Sequence, residues 1–471
     1  MNMESGLLRN FMGAFKKLRY MDFPLLFVTM SLYALSVFII FGIGQKIEML
    51  AIFWIKQTVW VAVGFVLMLI VASIDYETLG KFNYLSYAVS IILLILVLVI
   101  GYEVNGAKSW IRLPGATLQP SELAKPATIM TIAWLATRPR THLGQLTHVF
   151  PVLALSVLPM LLIALQPDAG SLLVFIPITI CCLFFSGIAK RFLIYPFLLG
   201  LILAPILYGQ LKPHQKKRIN VFLHPMTHPV SVFWARRKAF EGRLPVKVIA
   251  RIESMRDPIF FVETELAFKA KTITKEEYER IANPNILVRE KKLSRKEADS
   301  LYYAGKTYVT LKKFIQRDSW QAHQSLLAVG SGGLMGKGWM QGEQHTLGFL
   351  PSKVSPTDCI FSVIGEEFGF YKSALIVFLL FFTLVLIVRI ACVARDLYGR
   401  VIVLCIGGMF LTHCYINIGM AMGIAPIIGI PLPFISYGGS FVVSTFICLG
   451  LLQSVYIRRN RSMSLGNVEV L

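Results

Sequence analysis

Ten stretches of this chain stay apolar for about twenty residues each, the length that carries a helix across the hydrocarbon of a bilayer. They are residues 22–44, 51–73, 82–101, 120–136, 147–165, 169–187, 190–208, 370–390, 401–424 and 437–457. Lipid offers a backbone no hydrogen-bond partners, so only helices and closed barrels span it, and these runs are too long and continuous for barrel strands. Composition agrees: 55% of the 471 residues are hydrophobic and 15% charged, against roughly 25% charged in a soluble domain. The expected fold is an all-α polytopic membrane protein with about ten transmembrane helices and a large extracytoplasmic loop between the seventh and eighth.

The net charge of +21 does not point to nucleic acid, because no zinc-finger spacing or other nucleic-acid module accompanies it. Cationic loops that hold orientation, and attraction to anionic lipids or phosphates, account for it better. Lys16, Lys17, Arg19, Arg138, Arg140, Lys190, Arg191, Arg389, Arg395, Arg400, Arg458, Arg459 and Arg461 all fall on one face if ten spans are correct. That face reads as cytoplasmic, with both termini on it. The opposite face collects the segments rich in Gly, Pro and polar residues: 106–125, 166–171, 324–358 and 429–440. A site on this chain should therefore look outward.

The domain organisation follows: residues 1–211 carry helices one to seven, 212–325 form an extracytoplasmic loop, and 326–471 hold a further outer loop with helices eight to ten. The long loop has roughly 24 basic residues against roughly 12 acidic ones, but loops of this length are exempt from the positive-inside rule. The capping boxes beginning at Thr274 and Ser294 suggest a helical insert within residues 230–320, a disordered basic linker being the alternative. The seven cysteines lie in or beside apolar runs without a C-x-x-C pair and read as small buried hydrophobes. None of the eight histidines forms a helical zinc pattern, and Walker and dinucleotide loops are absent.

Asp358 is the residue that stands out, a carboxylate at the foot of a span, where charge is costly unless it serves a cavity or partner. Capping the following helix is its plainer role. Glu122 and Lys125, three apart at the start of the fourth span, share a helical face and form either a structural buried pair or a functional one. Asp168 reads as an N-cap, and Glu366 and Glu367 lie about two turns beyond Asp358. Ser436, Tyr437 and Ser440 follow the helix-breaking Pro431 and Pro433. Lys108, Arg112, Arg218 and Lys337 supply cations around this mouth, suited to phosphate or glycan binding or simply to solvation.

Taken together, Gly106–Lys125 (GAKSWIRL…QPSELAK), Gln166–Ser171 (QPDAGS), Gln324–Gly338, Gln344–Phe370 (ending PTDCIFSVIGEEFGF), Asn417–Gly419 and Pro431–Ser440 (PLPFISYGGS) resemble the SEDS family of RodA and FtsW, the polytopic peptidoglycan glycosyltransferases. The resemblance covers the chain except the middle of the long loop. It implies ten spans in the bacterial inner membrane, an outward-facing site and polymerisation of lipid II into β-1,4-linked glycan with release of undecaprenyl pyrophosphate. It maps the essential aspartate onto Asp358, the Glu–Lys motif onto Glu122 and Lys125, and a basic residue onto Arg218. It also implies a class B penicillin-binding protein as partner, alongside membrane lipids. No metal cage is visible; a divalent cation, Mg²⁺ or Mn²⁺, is the one candidate cofactor. The chain departs from the pattern in its insert, in Cys359 and in Phe441, and its opening looks more like the elongation (RodA) branch than the division (FtsW) branch. A lipid-linked precursor flippase or transporter, and a non-catalytic scaffold recruiting a penicillin-binding protein, are the readings from other classes.

Overall fold

The computed structural model describes residues 17–47, 50–104, 107–113, 116–138, 146–188, 321, 324–347, 350 and 354–459. These fall almost entirely within one compact unit, Met1–Leu211 with Ala322–Leu471. Among the described residues nine long helices organise it: α1 (Phe23–Lys46), α2 (Phe53–Ser73), α3 (Asn83–Ile100), α4 (Pro120–Ala136), α5 (Leu146–Leu165), α6 (Ala169–Phe185), α7 (Ile360–Val393), α8 (Leu397–Ala421) and α9 (Gly439–Ile457). They correspond to nine of the ten expected spans, and six of them are long and apolar enough to cross a membrane by length and composition. The expected seventh span, the basic insert and Arg218 lie outside the described residues.

Two differences from the sequence reading matter. The segment after α3 is not a loop but an antiparallel meander of β1 (Tyr102–Val104), β2 (Ala107–Leu113) and β3 (Ala116–Leu118). Tyr102 pairs with Trp110 and Ile111 with Leu118. Ser109 and Ile111 are buried while Arg112 is exposed, the period-two alternation that favours a strand once a neighbour supplies the ladder. Secondly, α7 begins ten residues before the expected span, directly after Cys359. Its first turns end at Gly369, whose φ of 72° departs from the helix. A side chain is excluded there twice over, because a Cβ would lie 2.1 Å from the Gly336 nitrogen.

α2 turns much of its apolar surface outward. On α2 the buried residues are Gln57, Gly64, Met68 and Ala72, whereas Ile55, Val59, Val63, Val66 and Ile70 are exposed. In lipid, apolar contact gives no net drive for helix association, so close packing of small residues and a few hydrogen bonds must supply it. The α2–α9 contact, the most extensive among the described elements, has this character. A Cβ on Gly64 would lie 2.3 Å from Phe446 Cδ2, and one on Gly450 would lie 2.8 Å from Val71 Cβ.

Ion pairs fasten one end of the bundle. Asp22 caps α1 by accepting from the Leu25 amide at 3.0 Å and pairs with Arg389 at the end of α7. Arg395 pairs with Glu77 and Asp396, and Arg458 with Asp75. The other end gathers the meander, the segment before α7 and the α8–α9 connection.

Replacing Gly64 with Val should force Phe446 or the α2 backbone aside and cost about 1–3 kcal/mol. Thermal unfolding of the purified protein in detergent should show the midpoint several degrees lower; an unchanged midpoint would contradict the close approach of α2 and α9.

Candidate functional site

Asp358 occupies the last turn before α7, half-buried at the end of the bundle opposite the ion-pair cluster. Its stretch of backbone is tied down carbonyl by carbonyl. The Tyr437 amide donates to Pro356 O at 2.8 Å, Ser436 Oγ to Thr357 O at 2.6 Å, and Asn417 Nδ2 to Asp358 O at 2.9 Å. The carboxylate faces Gly429, where a Cβ would come within 3.1 Å of Asp358 Oδ2 and where φ is +81°. Only glycine satisfies both the conformation and the contact. Gly170, one residue into α6, closes on the same loop: a Cβ there would lie 3.3 Å from Gly429 O.

Proline shapes this loop as well. Pro431 and Pro433 have no N–H, so no regular ladder forms through them, and the loop carbonyls take side-chain donors instead. Asn417 Nδ2 reaches Ile430 O at 2.7 Å, and His413 Nδ1 lies 3.1 Å from Pro431 O. Further support comes from α1 and α2: Ser36 Oγ donates to Ile435 O, and Gln57 Nε2 to Ser436 O at 3.3 Å.

Glu122 and Lys125 form a buried ion pair at 2.7 Å, about one turn into α4. Lys125 Nζ is also 3.3 Å from His413 Nε2, and Ser444 Oγ of α9 donates to Glu122 O at 2.8 Å. His413 was unremarkable in sequence. The available signal was its spacing from Asn417, four apart on one face of an apolar helix. Asp168 is the N-cap that the sequence suggested: it accepts from the Ser171 amide at 3.0 Å and from Gln119 Nε2 at 2.9 Å.

The other candidates divide between mouth and frame. Ser436 and Ser440 are buried and bond to backbone, Ser436 as above and Ser440 by donating to Thr117 O and accepting from the Gln119 amide, both at 3.0 Å. The Tyr437 ring stacks on Phe53 with centroids 4.5 Å apart. Lys108 donates to Leu98 O and Val99 O, closing the C-terminus of α3. Lys337 pairs with Glu366 at 2.8 Å and Glu343 at 3.0 Å. Burial opposes its charge, but the hydrogen bonds and charges of Glu366 and Glu343 prevail and raise its pKa above the ordinary lysine value. Arg112 is exposed, its guanidinium 4.4 Å from the Tyr102 ring centroid. Glu366 and Glu367, instead of joining Asp358, clamp the segment before α7: Glu366 also accepts from the Glu343 amide at 2.8 Å, with His345 buried between the two carboxylates. Among the described residues no group of three or more His, Cys, Asp or Glu side chains is arranged to hold a metal ion. Asp358 offers a single carboxylate, which suits only a cation that takes its remaining ligands from substrate and water.

The profile of the FtsW, RodA and SpoVE family, described as cell cycle proteins, matches residues 20–237 and 306–461. The peptidoglycan glycosyltransferase RodA of Treponema pallidum is 31% identical over 452 residues, 93% of this chain and 98% of that protein. The peptidoglycan glycosyltransferase MrdB of Escherichia coli K12 is 28% identical over 93% of this chain and 94% of its own. Among solved structures, a chain from work on the structural coordination of polymerization and crosslinking by a peptidoglycan synthase complex superposes with a TM-score of 0.64 at 22% identity, covering 94% of this chain and 99% of that one. Thermus thermophilus RodA gives 0.56 at 21% identity, covering 93% and 98%.

The Glu122–Lys125 pair makes a stability statement. Lys125→Met leaves a buried carboxylate unpaired and should cost about 3–5 kcal/mol, whereas the double variant Glu122→Leu/Lys125→Met should recover most of that loss. Thermal melts of the two variants check it; equal destabilisation by single and double variants would show that the charges are not coupled.

Proposed function

Because the chain belongs to the FtsW, RodA and SpoVE family, we propose that Asp358 is the catalytic carboxylate of a lipid II polymerase. The chain is a membrane-embedded peptidoglycan glycosyltransferase of the RodA type. The observation that carries the residue assignment is the combination at Asp358: a half-buried carboxylate on a backbone whose last three carbonyls are each held by another element. Such fixation keeps a general base within the tolerance that glycosyl transfer demands.

The acceptor is the 4-hydroxyl of the GlcNAc on one lipid-linked disaccharide. Its oxygen attacks the anomeric carbon of the MurNAc at the end of the other glycan. The new C–O bond forms as the bond from that carbon to the pyrophosphate breaks, and the hydroxyl proton passes to the Asp358 carboxylate. An α-linked donor thereby gives a β-1,4 link, and undecaprenyl pyrophosphate departs as an anion that needs charge compensation rather than a proton. Arg112, the exposed cation at the meander, is suited to contact that pyrophosphate. Lys108, which closes α3 beside the meander, and Lys337, held in the Glu366–Glu343 cluster, are the further cations of this reading, and Ser436, Tyr437 and Ser440 form the wall beside Asp358. Arg218 completes the proposed cation set. A Mg²⁺ or Mn²⁺ ion would rest on Asp358 together with substrate phosphates and would neutralise the leaving charge.

The membrane is the bacterial inner membrane, with the end bearing Asp358 outside and both chain termini in the cytoplasm. Support comes from the basic residues at the opposite end, Arg395, Arg400, Arg458 and Arg459, following the positive-inside rule. The partner is a class B penicillin-binding protein, which would crosslink the strands this chain makes.

Asp358→Asn preserves shape and removes the base. Purified full-length protein given lipid II should lose about 10²- to 10⁴-fold in glycan formation, scored by gel separation of the strands, while its melting midpoint stays close to that of the parent. Undiminished polymerisation by a folded Asp358→Asn protein would rule out the assignment.

A further inference from the structure

Two side chains one turn apart on α8 serve the loop against Asp358, yet only one of them also touches a charge. Asn417 holds Asp358 O and Ile430 O. His413 has Pro431 O at 3.1 Å from Nδ1 and the Lys125 ammonium at 3.3 Å from Nε2. The carbonyl can only accept and the ammonium can only donate, so the two contacts together specify a neutral ring with its proton on Nδ1. Phe441 covers both groups, its ring 5.1 Å from the imidazole and 5.9 Å from Lys125 Nζ. His413 is 1% exposed and Lys125 likewise 1%, so neither has bulk water as an alternative partner.

We infer that His413 is a positioning residue for glycosyl transfer, linking the buried Glu122–Lys125 pair to the Gly429–Pro433 loop that faces the Asp358 carboxylate. The inference rests on the role given to Asp358 above. Its logic is mechanical. Near Pro431 O, Pro433 has no N–H and the Leu432 amide donates to Ser436 Oγ, and His413 supplies a donor to that carbonyl. The orientation of that donor is set in turn by Lys125 at the other edge of the ring. When the linkage is cut, the loop that defines the space beside Asp358 Oδ2 loses one of its two side-chain anchors on α8. The Glu–Lys pair then acts on the reaction without meeting substrate, through α8 and the loop.

Glutamine separates this role from packing. Its amide can accept from Lys125 through Oε1 and donate to Pro431 O through Nε2, whereas leucine fills the space and does neither. In full-length protein reconstituted with lipid II, His413→Gln should keep turnover within about threefold of the parent, and His413→Leu should lower kcat at least tenfold with KM changed less than twofold. The second readout does not depend on activity: ¹⁵N NMR of histidine-labelled protein in nanodiscs, where the signal missing from His413→Gln identifies the residue. That signal should report a proton on Nδ1 and should shift in Lys125→Met. Full turnover by His413→Leu, failure of His413→Gln to rescue, or a proton on Nε2 would each overturn the inference. A parent protein inert toward lipid II, with the Nδ1-protonated signal present and responsive to Lys125→Met, would overturn the assigned reaction and leave the linkage standing.

Discussion

The carbonyls of Pro356, Thr357 and Asp358 accept from the Tyr437 amide, Ser436 Oγ and Asn417 Nδ2, and much of the architecture exists to make those three bonds possible. Each donor comes from an element that another part of the bundle holds in place. Ser436 and Tyr437 sit in a segment braced by Ser36 of α1 and Gln57 of α2. Asn417 rides on α8, which packs against α6 and α7. In a membrane protein such bonds are not optional, because a carbonyl withdrawn from water without a donor is destabilising by an amount comparable to a lost hydrogen bond. Irregular backbone at the bundle's end is therefore tolerated only where polar side chains are delivered to it.

This explains why polar side chains are buried among the apolar residues of the interior. Gln57, Ser36, Asn417, His413 and the Glu122–Lys125 pair are all buried, while valine, isoleucine and phenylalanine side chains face outward. The outward exposure of large apolar side chains differs from a soluble domain because the surrounding solvent is hydrocarbon. It leaves close packing at Gly64 and Gly450 to hold helices together and leaves the polar side chains to shape the loops. The two ends of the bundle use polarity differently. One end is locked by ion pairs between chain segments far apart in sequence, such as Asp22 with Arg389. The other gathers hydrogen bonds around a carboxylate that stays half-exposed.

The conspicuous charges are not all in one place. Glu366 and Glu367 lie two turns beyond Asp358 in sequence, yet α7 carries them to a separate cluster with Lys337, Glu343 and His345 that clamps the segment before α7. That cluster sits just ahead of the break at Gly369, where the Gly336 backbone approaches too closely for any side chain. The clamp and the break together set how α7 enters the bundle, and so where the turn bearing Asp358 begins.

The positions of nine spans were legible in the chain, because apolar runs of bilayer length have one stable outcome in lipid, and those nine coincide with described helices. Asp168 as an N-cap and the Glu122–Lys125 pairing were legible for a similar reason: both depend on neighbours three residues away. The meander at β1–β3 was not, since a short strand is decided by the ladder partner it finds rather than by its own composition. The place of His413 was hidden for the same cause, as its two partners lie 288 and 18 residues distant. Local chemistry thus determined the nine described spans and the Asp168 cap. Only the tertiary structure decided which polar side chains meet, because that depends on how helices pack side by side, and packing among small residues in lipid leaves no periodic trace in a sequence.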